Sequence, residues 1–264
     1  MKVLDLTDFS TWPPEIISHL DKYHSLYLDW ESGIHQSSGF EYDSAIEELK
    51  ELVRFSGYAM RGYHCTRLTE AEMQAILANG MSLPNLTMLR KRIADVAAAE
   101  MLEGSIVQRL MSDNQANDAN RVGIIWFCFF PPRNAGQWGI ESFFRSWGGE
   151  ALYNSHNDDP ATGPVLAKIG IPCIIEALVP LISLPSRSWL DSKLILRFLI
   201  SRGFETEEDL DHEDYSKSPI PAENIVRIIR FPDADFVSLT GCSKWKPLLQ
   251  LSLQEKGTEQ RAKG

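Results

Sequence analysis

No apolar run in the 264 residues approaches the roughly 20 that a membrane-crossing helix needs. The longest candidate, residues 171–184, is interrupted by Pro172, Glu176 and Pro180, so no membrane partner is expected. The chain opens on Asp5 and Asp8 where a secretory leader would place a basic patch and an apolar stretch, and a cytoplasmic compartment is expected. Cysteine is scarce and scattered. Cys65, Cys128, Cys173 and Cys242 form no C-x-x-C pair, which removes the signal for a zinc knuckle or a disulfide framework and predicts buried, reduced thiols. His64 and Cys65 are adjacent, but neighbours on a strand face opposite ways, so no metal is expected. G-x-G-x-x-G, G-x-x-x-x-G-K and G-x-S-x-G are all missing, which excludes those dinucleotide cradles, the phosphate loop and the nucleophile elbow.

What is present suits a folded domain. Hydrophobic residues make up 44% and charged residues 23%, and 26 Lys and Arg against 36 Asp and Glu leave a formal charge of −10. That balance disfavours phosphate binding by the whole surface and leaves only local basic patches such as residues 89–92. Apolar spacing predicts a helix over 43–55, stopped at Ser56 and Gly57, and residues 62–67 then read as a short strand. Thr69 and Glu72 make a capping box for a helix that Asn79 and Gly80 end. One helix is predicted over 87–111, a polar loop over 112–120, a buried strand over 122–130 and a helix over 139–147. Further strands are predicted at 172–180 and 224–231, with a helix at 192–201. Residues 205–214 hold seven carboxylates, a pattern that by default solubilises a loop. The tail, 251–264, is polar. The division expected is a helical N-terminal extension over 1–57, a catalytic domain over 58–250 and the tail.

Three segments, in order, carry a resemblance. Tyr63-His64-Cys65-Thr66 is similar to the opening Y/F-H-G-T/S motif of the ADP-ribosyltransferase fold family, with Cys65 in place of the usual Gly. Gly123-Ile124-Ile125-Trp126-Phe127 resembles its G-I/V-Y-F-A strand, and Trp126 takes the aromatic position. The segment from Glu213 through Pro219-Ile220-Pro221-Ala222-Glu223 to Ile225 resembles the stretch in which a catalytic Glu precedes an I-P-P-E-x-I turn in DNA-modifying bacterial toxins. The resemblance covers residues 60–232. It implies an α+β fold with a split mixed sheet flanked by helices, and transfer of ADP-ribose from NAD to a nucleic acid or protein without a metal. A toxin or phage-defence effector neutralised by a partner protein is also implied.

On that footing Glu213 is the catalytic carboxylate, His64 holds a ribose hydroxyl, the backbone of Cys65 and Thr66 grips the nicotinamide amide, and Trp126 packs on the nucleotide. The residues themselves keep a rival open: Glu150 follows the flexible Gly148-Gly149 pair, and Phe143, Phe144, Trp147 and Tyr153 could make an aromatic floor there. Arg67 and Arg145 are candidates for the pyrophosphate. The chemistry needs such groups. Breaking the nicotinamide–ribose bond builds positive charge on the sugar, which a carboxylate stabilises, and the cationic ring attracts an aromatic wall. Two alternatives share the fold: an NAD glycohydrolase using water as acceptor, and an inactive interaction module, to which the Cys65 exchange and the acid crowding of Glu213 would point.

Overall fold

The computed structural model describes residues 2–54, 57–99, 102–184, 189–208 and 210–250. The polar tail at 251–264, the end of the first predicted helix at Phe55 and Ser56, and Asp209 of the acidic run lie outside the described residues. The described chain is a mixed α+β structure built on a six-stranded sheet. β1 (Lys2–Leu4) leads to α1 (Pro14–Lys22), α2 (His24–Glu31) and α3 (Gly39–Arg54), then to β2 (Tyr58–Leu68) and α4 (Glu70–Asn79). α5 (Leu86–Ala98) and α6 (Gly104–Ser112) precede β3 (Ile125–Cys128), followed by α7 (Gly136–Arg145), α8 (Glu150–His156) and α9 (Gly163–Leu166). β4 (Ile171–Pro180), α10 (Leu190–Ser201), β5 (Glu213–Ser216), β6 (Ile225–Arg230) and α11 (Ala234–Thr240) complete the order.

The strand order is β5-β3-β2-β4-β6, with β1 running parallel to the start of β2 and every other pairing antiparallel. β2 is longer than its predicted core. All eleven of its residues pair with β4 or lie beside it, from Ala59↔Pro180 to Leu68↔Ile171. Between β2 and β3, by contrast, the ladder is the single pair Tyr63↔Cys128, and past it the two strands part.

Directly opposed residues share a sheet face, so one face is set by Gly62, His64, Phe127 and Ile175 and the other by Tyr63, Cys65, Cys128, Ile174 and Glu213. The first packs on the N-terminal helices and α10, and the second on α7 and α11. A third apolar cluster joins α5, α6, α8 and α9 around Trp147.

The N-terminal segment is more than a helical extension. β1 is a sheet strand, and Leu4, Leu6, Trp12, Ile16 and Leu49 belong to the same core cluster as Val179, Leu194 and Phe198. The helix expected over 87–111 is two helices, since Glu103, just ahead of Gly104, takes an extended backbone at ψ 151°. The strand expected over 122–130 is cut to four residues, since Gly123 takes φ +72° and its N–H goes to the Pro84 carbonyl at 2.8 Å.

The Thr69 capping box forms in full: the Glu72 N–H donates to Thr69 Oγ1 at 3.3 Å and the Thr69 N–H donates to Glu72 Oε2 at 2.8 Å. Two N–H groups that helix geometry would leave orphaned are thereby satisfied. We expect Thr69→Ala to cost about 1 kcal/mol in urea unfolding, the usual worth of such a cap.

Candidate active site at the parted strands

Where β2 and β3 separate, His64 reaches across. Its Nδ1 lies 2.9 Å from the Trp126 carbonyl oxygen, so the side chain replaces a ladder bond that the parted backbones no longer make. The ring also tilts against Phe127, at 5.9 Å between centroids. Lost hydration pulls the His64 pKa down, the Trp126 carbonyl opposes this, and the nearby Arg92 guanidinium lowers it further. The neutral ring with a proton on Nδ1 is the form that suits this contact, since a carbonyl only accepts.

Glu213 and Trp126 lie on the other sheet face. Glu213 opposes Cys128 directly on β3, and the Cys128 thiol donates to Glu213 Oε1 at 3.6 Å. Trp126 opposes Tyr215, and the two rings lie 4.8 Å apart at 59°. Trp126 is 42% exposed, an unusual position for a tryptophan in mid-strand. Solvent also reaches Glu213, yet surrounding protein strips enough of its hydration to raise its pKa. The Cys128 thiol pulls it back down, while the negative charges of Asp211 and Glu150 push it up.

Glu150 and Glu213 are therefore near enough to feel each other. Glu150 stands at the start of α8, where its Oε2 is 3.5 Å from Arg121 Nε and its Oε1 accepts from the Tyr153 hydroxyl at 3.2 Å. Tyr153 stacks edge-on against Phe143, and desolvation beside Glu150 raises its pKa. The two rival glutamates thus belong to one neighbourhood, with Trp126, Tyr215 and Tyr153 around them.

Other candidates sit elsewhere. Trp147 is fully buried: its indole N–H donates to Glu72 Oε2 at 3.0 Å, and the Arg92 guanidinium lies 4.8 Å over its ring. It offers no face to a ligand, and the floor expected from it is core packing; the same holds for Phe144. Arg67 is 2% exposed, and its Nε and Nη1 donate to the carbonyls of Ile169 and Phe144 at 2.6 and 3.0 Å. Burial lowers its pKa to about 10. Arg145 pairs with Glu141 at 3.1 Å and donates to the Pro247 carbonyl. Neither arginine is free to clamp a pyrophosphate in this conformation. Cys65 is buried under α7, and Thr66 is partly exposed on the His64 face.

Sequence reading missed Cys128, Arg121 and Tyr215, which complete the Glu213 and Glu150 surroundings. No local pattern marks them; the β3–β5 register and the placement of α8 bring them in. It also missed a charge network on the same sheet face, in which Glu176, 2% exposed, binds both Arg61 and Arg227 while Asp5 and Asp235 hold their far sides. Among the described residues no group of three or more His, Cys, Asp or Glu side chains is arranged to hold a metal ion, and no helix is long and apolar enough to cross a membrane.

His212, immediately before β5, is 6% exposed and its Nε2 has no hydrogen-bond partner among the described residues. Burial, with Lys193 nearby, brings its pKa down to about 4, and Asp211 only partly offsets this. An unfolded chain binds a proton here below about pH 6.5 and the native one only below about 4, so this residue's contribution is complete above pH 6.5 and is lost as pH falls towards 4. The shift corresponds to about 3 kcal/mol. Urea unfolding at pH 7 and 4.5 should show His212→Phe losing less stability on acidification than wild type; equal losses would mean that the ring is solvated.

Comparison with protein-family models, with curated proteins and with solved structures finds no match.

Proposed function

We propose that the chain is an NAD-dependent mono-ADP-ribosyltransferase whose reaction takes place at the Glu213 face of the parted strands. The observation that carries this is the grouping of Glu213 with the exposed Trp126–Tyr215 pair, within electrostatic reach of Glu150. Trp126 would stack on the cationic nicotinamide, an attraction worth roughly 0.5–2 kcal/mol. Glu213 would stand against the ribose, where a carboxylate stabilises the positive charge that grows as the glycosidic bond lengthens. Glu150, restrained by Arg121 and Tyr153, would orient the incoming acceptor or take its proton.

His64 acts in this reading from the far face. Its bond to the Trp126 carbonyl would set the height of β3 and hence the plane of the Trp126 ring, which makes it a positioning residue, while its side chain on the opposite face from Glu213 leaves the ribose hydroxyl to other groups. The acceptor is a nucleic acid or a protein, and a neutralising partner would act by covering the Trp126 and Glu213 face. Solvent access to Glu213 favours a second reading, hydrolysis of NAD with water as acceptor.

Incubation with labelled NAD and a cell lysate tests both, with nuclease and protease digestion to identify the labelled fraction. We expect Glu213→Gln to reduce turnover by about a hundredfold or more, as for loss of a charge-stabilising group. Free ADP-ribose with no labelled macromolecule would select the hydrolase. Intact NAD together with no NAD binding in a titration would overturn the proposal and leave a non-enzymatic module.

A further inference from the structure

The two cysteines nearest Glu213 play no part in the mechanism above, yet they are placed together by tertiary structure alone. Cys65 lies two residues beyond Tyr63 on the same side of β2, and Tyr63 pairs with Cys128, so the cysteines are diagonal cross-strand neighbours. The neighbouring Cys128 thiol, together with burial, holds the Cys65 thiol well above its ordinary pKa, and the Cys128 thiol reaches Glu213 Oε1 at 3.6 Å. Cys128 is partly exposed while Cys65 is 8% exposed, so an oxidant meets Cys128 first. Cys173 is remote from the pair, on the opposite face against Met73 Sδ at 3.6 Å.

We propose that Cys65 and Cys128 are a modification site, an oxidisable dithiol whose disulfide draws β3 against β2 and remodels the surroundings of Glu213. Hydrogen peroxide is the oxidant that balances the reaction. The Cys128 sulfur, its proton passing to the Glu213 carboxylate, attacks one peroxide oxygen; the O–O bond breaks, the other oxygen takes the proton back from Glu213 and leaves as water, and Cys128 becomes a sulfenic acid. The Cys65 sulfur then displaces that hydroxyl as a second water and the S–S bond forms. The dithiol loses two electrons and two protons, and the peroxide is reduced to water.

Geometry gives the bond its consequence. Diagonal partners in a regular ladder have Cα atoms about 7–8 Å apart, slightly beyond the reach of a disulfide, so the strands must close up for it to form. A full ladder would resist that movement. Here, among the described residues, β2 and β3 share one backbone pair, and beyond it the His64 side chain bridges to the Trp126 carbonyl and the Phe127 ring. Closure removes the S–H donor from Glu213 and shifts Trp126, two residues along β3.

The test treats the full chain with hydrogen peroxide, then alkylates and maps peptides by mass spectrometry, with and without later reduction. The expected result is a loss of about 2 Da, a linked peptide pair joining Cys65 to Cys128, and recovery on reduction. Cys65→Ser should instead retain a sulfenic adduct on Cys128 that a dimedone probe captures. Four alkylatable thiols after peroxide, or a linkage through Cys173 or Cys242, would overturn the proposal. Quenching or recovery of tryptophan fluorescence on oxidation, absent in Cys65→Ser, reads the movement of Trp126. An accompanying loss of NAD turnover of at least about tenfold, reversed by reductant, rests on the transferase reading; the mass and fluorescence measurements do not, so the two can fail separately.

Discussion

Glu176→Ala should destabilise the protein by about 3 kcal/mol, because it leaves arginines stranded that the fold has partly taken out of water. Glu176 sits in the middle of β4, opposite Tyr63 on one side and Arg227 on the other, and its two oxygens are divided between Arg61 and Arg227. Removing one member of a buried pair costs about 3–5 kcal/mol, chiefly through the uncompensated charge that remains. The lower end applies here. Arg227 is half exposed and can return to water, and Arg61 keeps Asp5 at 2.9 Å.

The measurement is the urea midpoint at pH 7, with Arg227→Ala as the comparison. That variant removes an exposed partner and should cost about 1 kcal/mol or less. Similar losses for the two would show that Glu176 contributes nothing beyond a surface ion pair. Tyr63, whose pKa is pushed up to about 12 first by desolvation and next by Glu176, gives an independent readout. Its titration should move downwards when that carboxylate is removed.

Gly80→Ala should cost about 4 kcal/mol and weaken the link between α4 and the segment leading into β6. Gly80 caps α4 at φ +77° and ψ −167°, a region essentially restricted to glycine, and any other residue there carries roughly 1–3 kcal/mol of strain. Space is lacking too: a Cβ would lie 2.1 Å from the Ile220 carbonyl oxygen and 2.8 Å from the Ala222 nitrogen, both of them backbone. Relief requires the two segments to separate. That breaks the bridge in which the Met81 N–H donates to Ile220 at 2.7 Å and the Ile220 N–H donates back at 2.9 Å, each worth about 1 kcal/mol net. Thermal unfolding checks this, and Gly57→Ala is the control. Gly57 also has positive φ but nothing within 4 Å of a Cβ, so only conformational strain should appear.

Gly80 also shows how far local patterns extend. Asn79-Gly80 predicts where the helix stops, although Gly80 takes ψ −167° and not the left-handed helical value expected, and the Thr69 capping box predicts the start, because both signals lie within a turn of the backbone groups that they satisfy. The closeness of Ile220, 140 residues further on, has no such local trace. The same division runs through the site. Tyr63-His64-Cys65-Thr66 is legible as a strand, while the alternation that sends His64 to one face and Glu213 to the other depends on which residue of β3 meets Tyr63. Trp147 and Tyr153 looked equivalent as aromatic candidates, yet one is the centre of a packed layer and the other stands beside Glu150.

Sequence alone therefore determined the element types wherever the signal was periodic or a cap: the Thr69 helix and the strands expected at 172–180 and 224–231, which form at Ile171–Pro180 and Ile225–Arg230. It also singled out Glu213, Glu150 and Trp126 as residues of interest. Tertiary structure decided which of these meet. Ladder register, the parting of β2 from β3 and the docking of α8 grouped Glu213, Trp126, Glu150 and Cys128, and buried Arg67 and Trp147 out of reach. The reason is physical: helix and turn signals act over a few residues of contiguous backbone. Pairing between strands roughly 50 to 120 residues apart is set by how the whole sheet buries its two faces, which no short motif encodes.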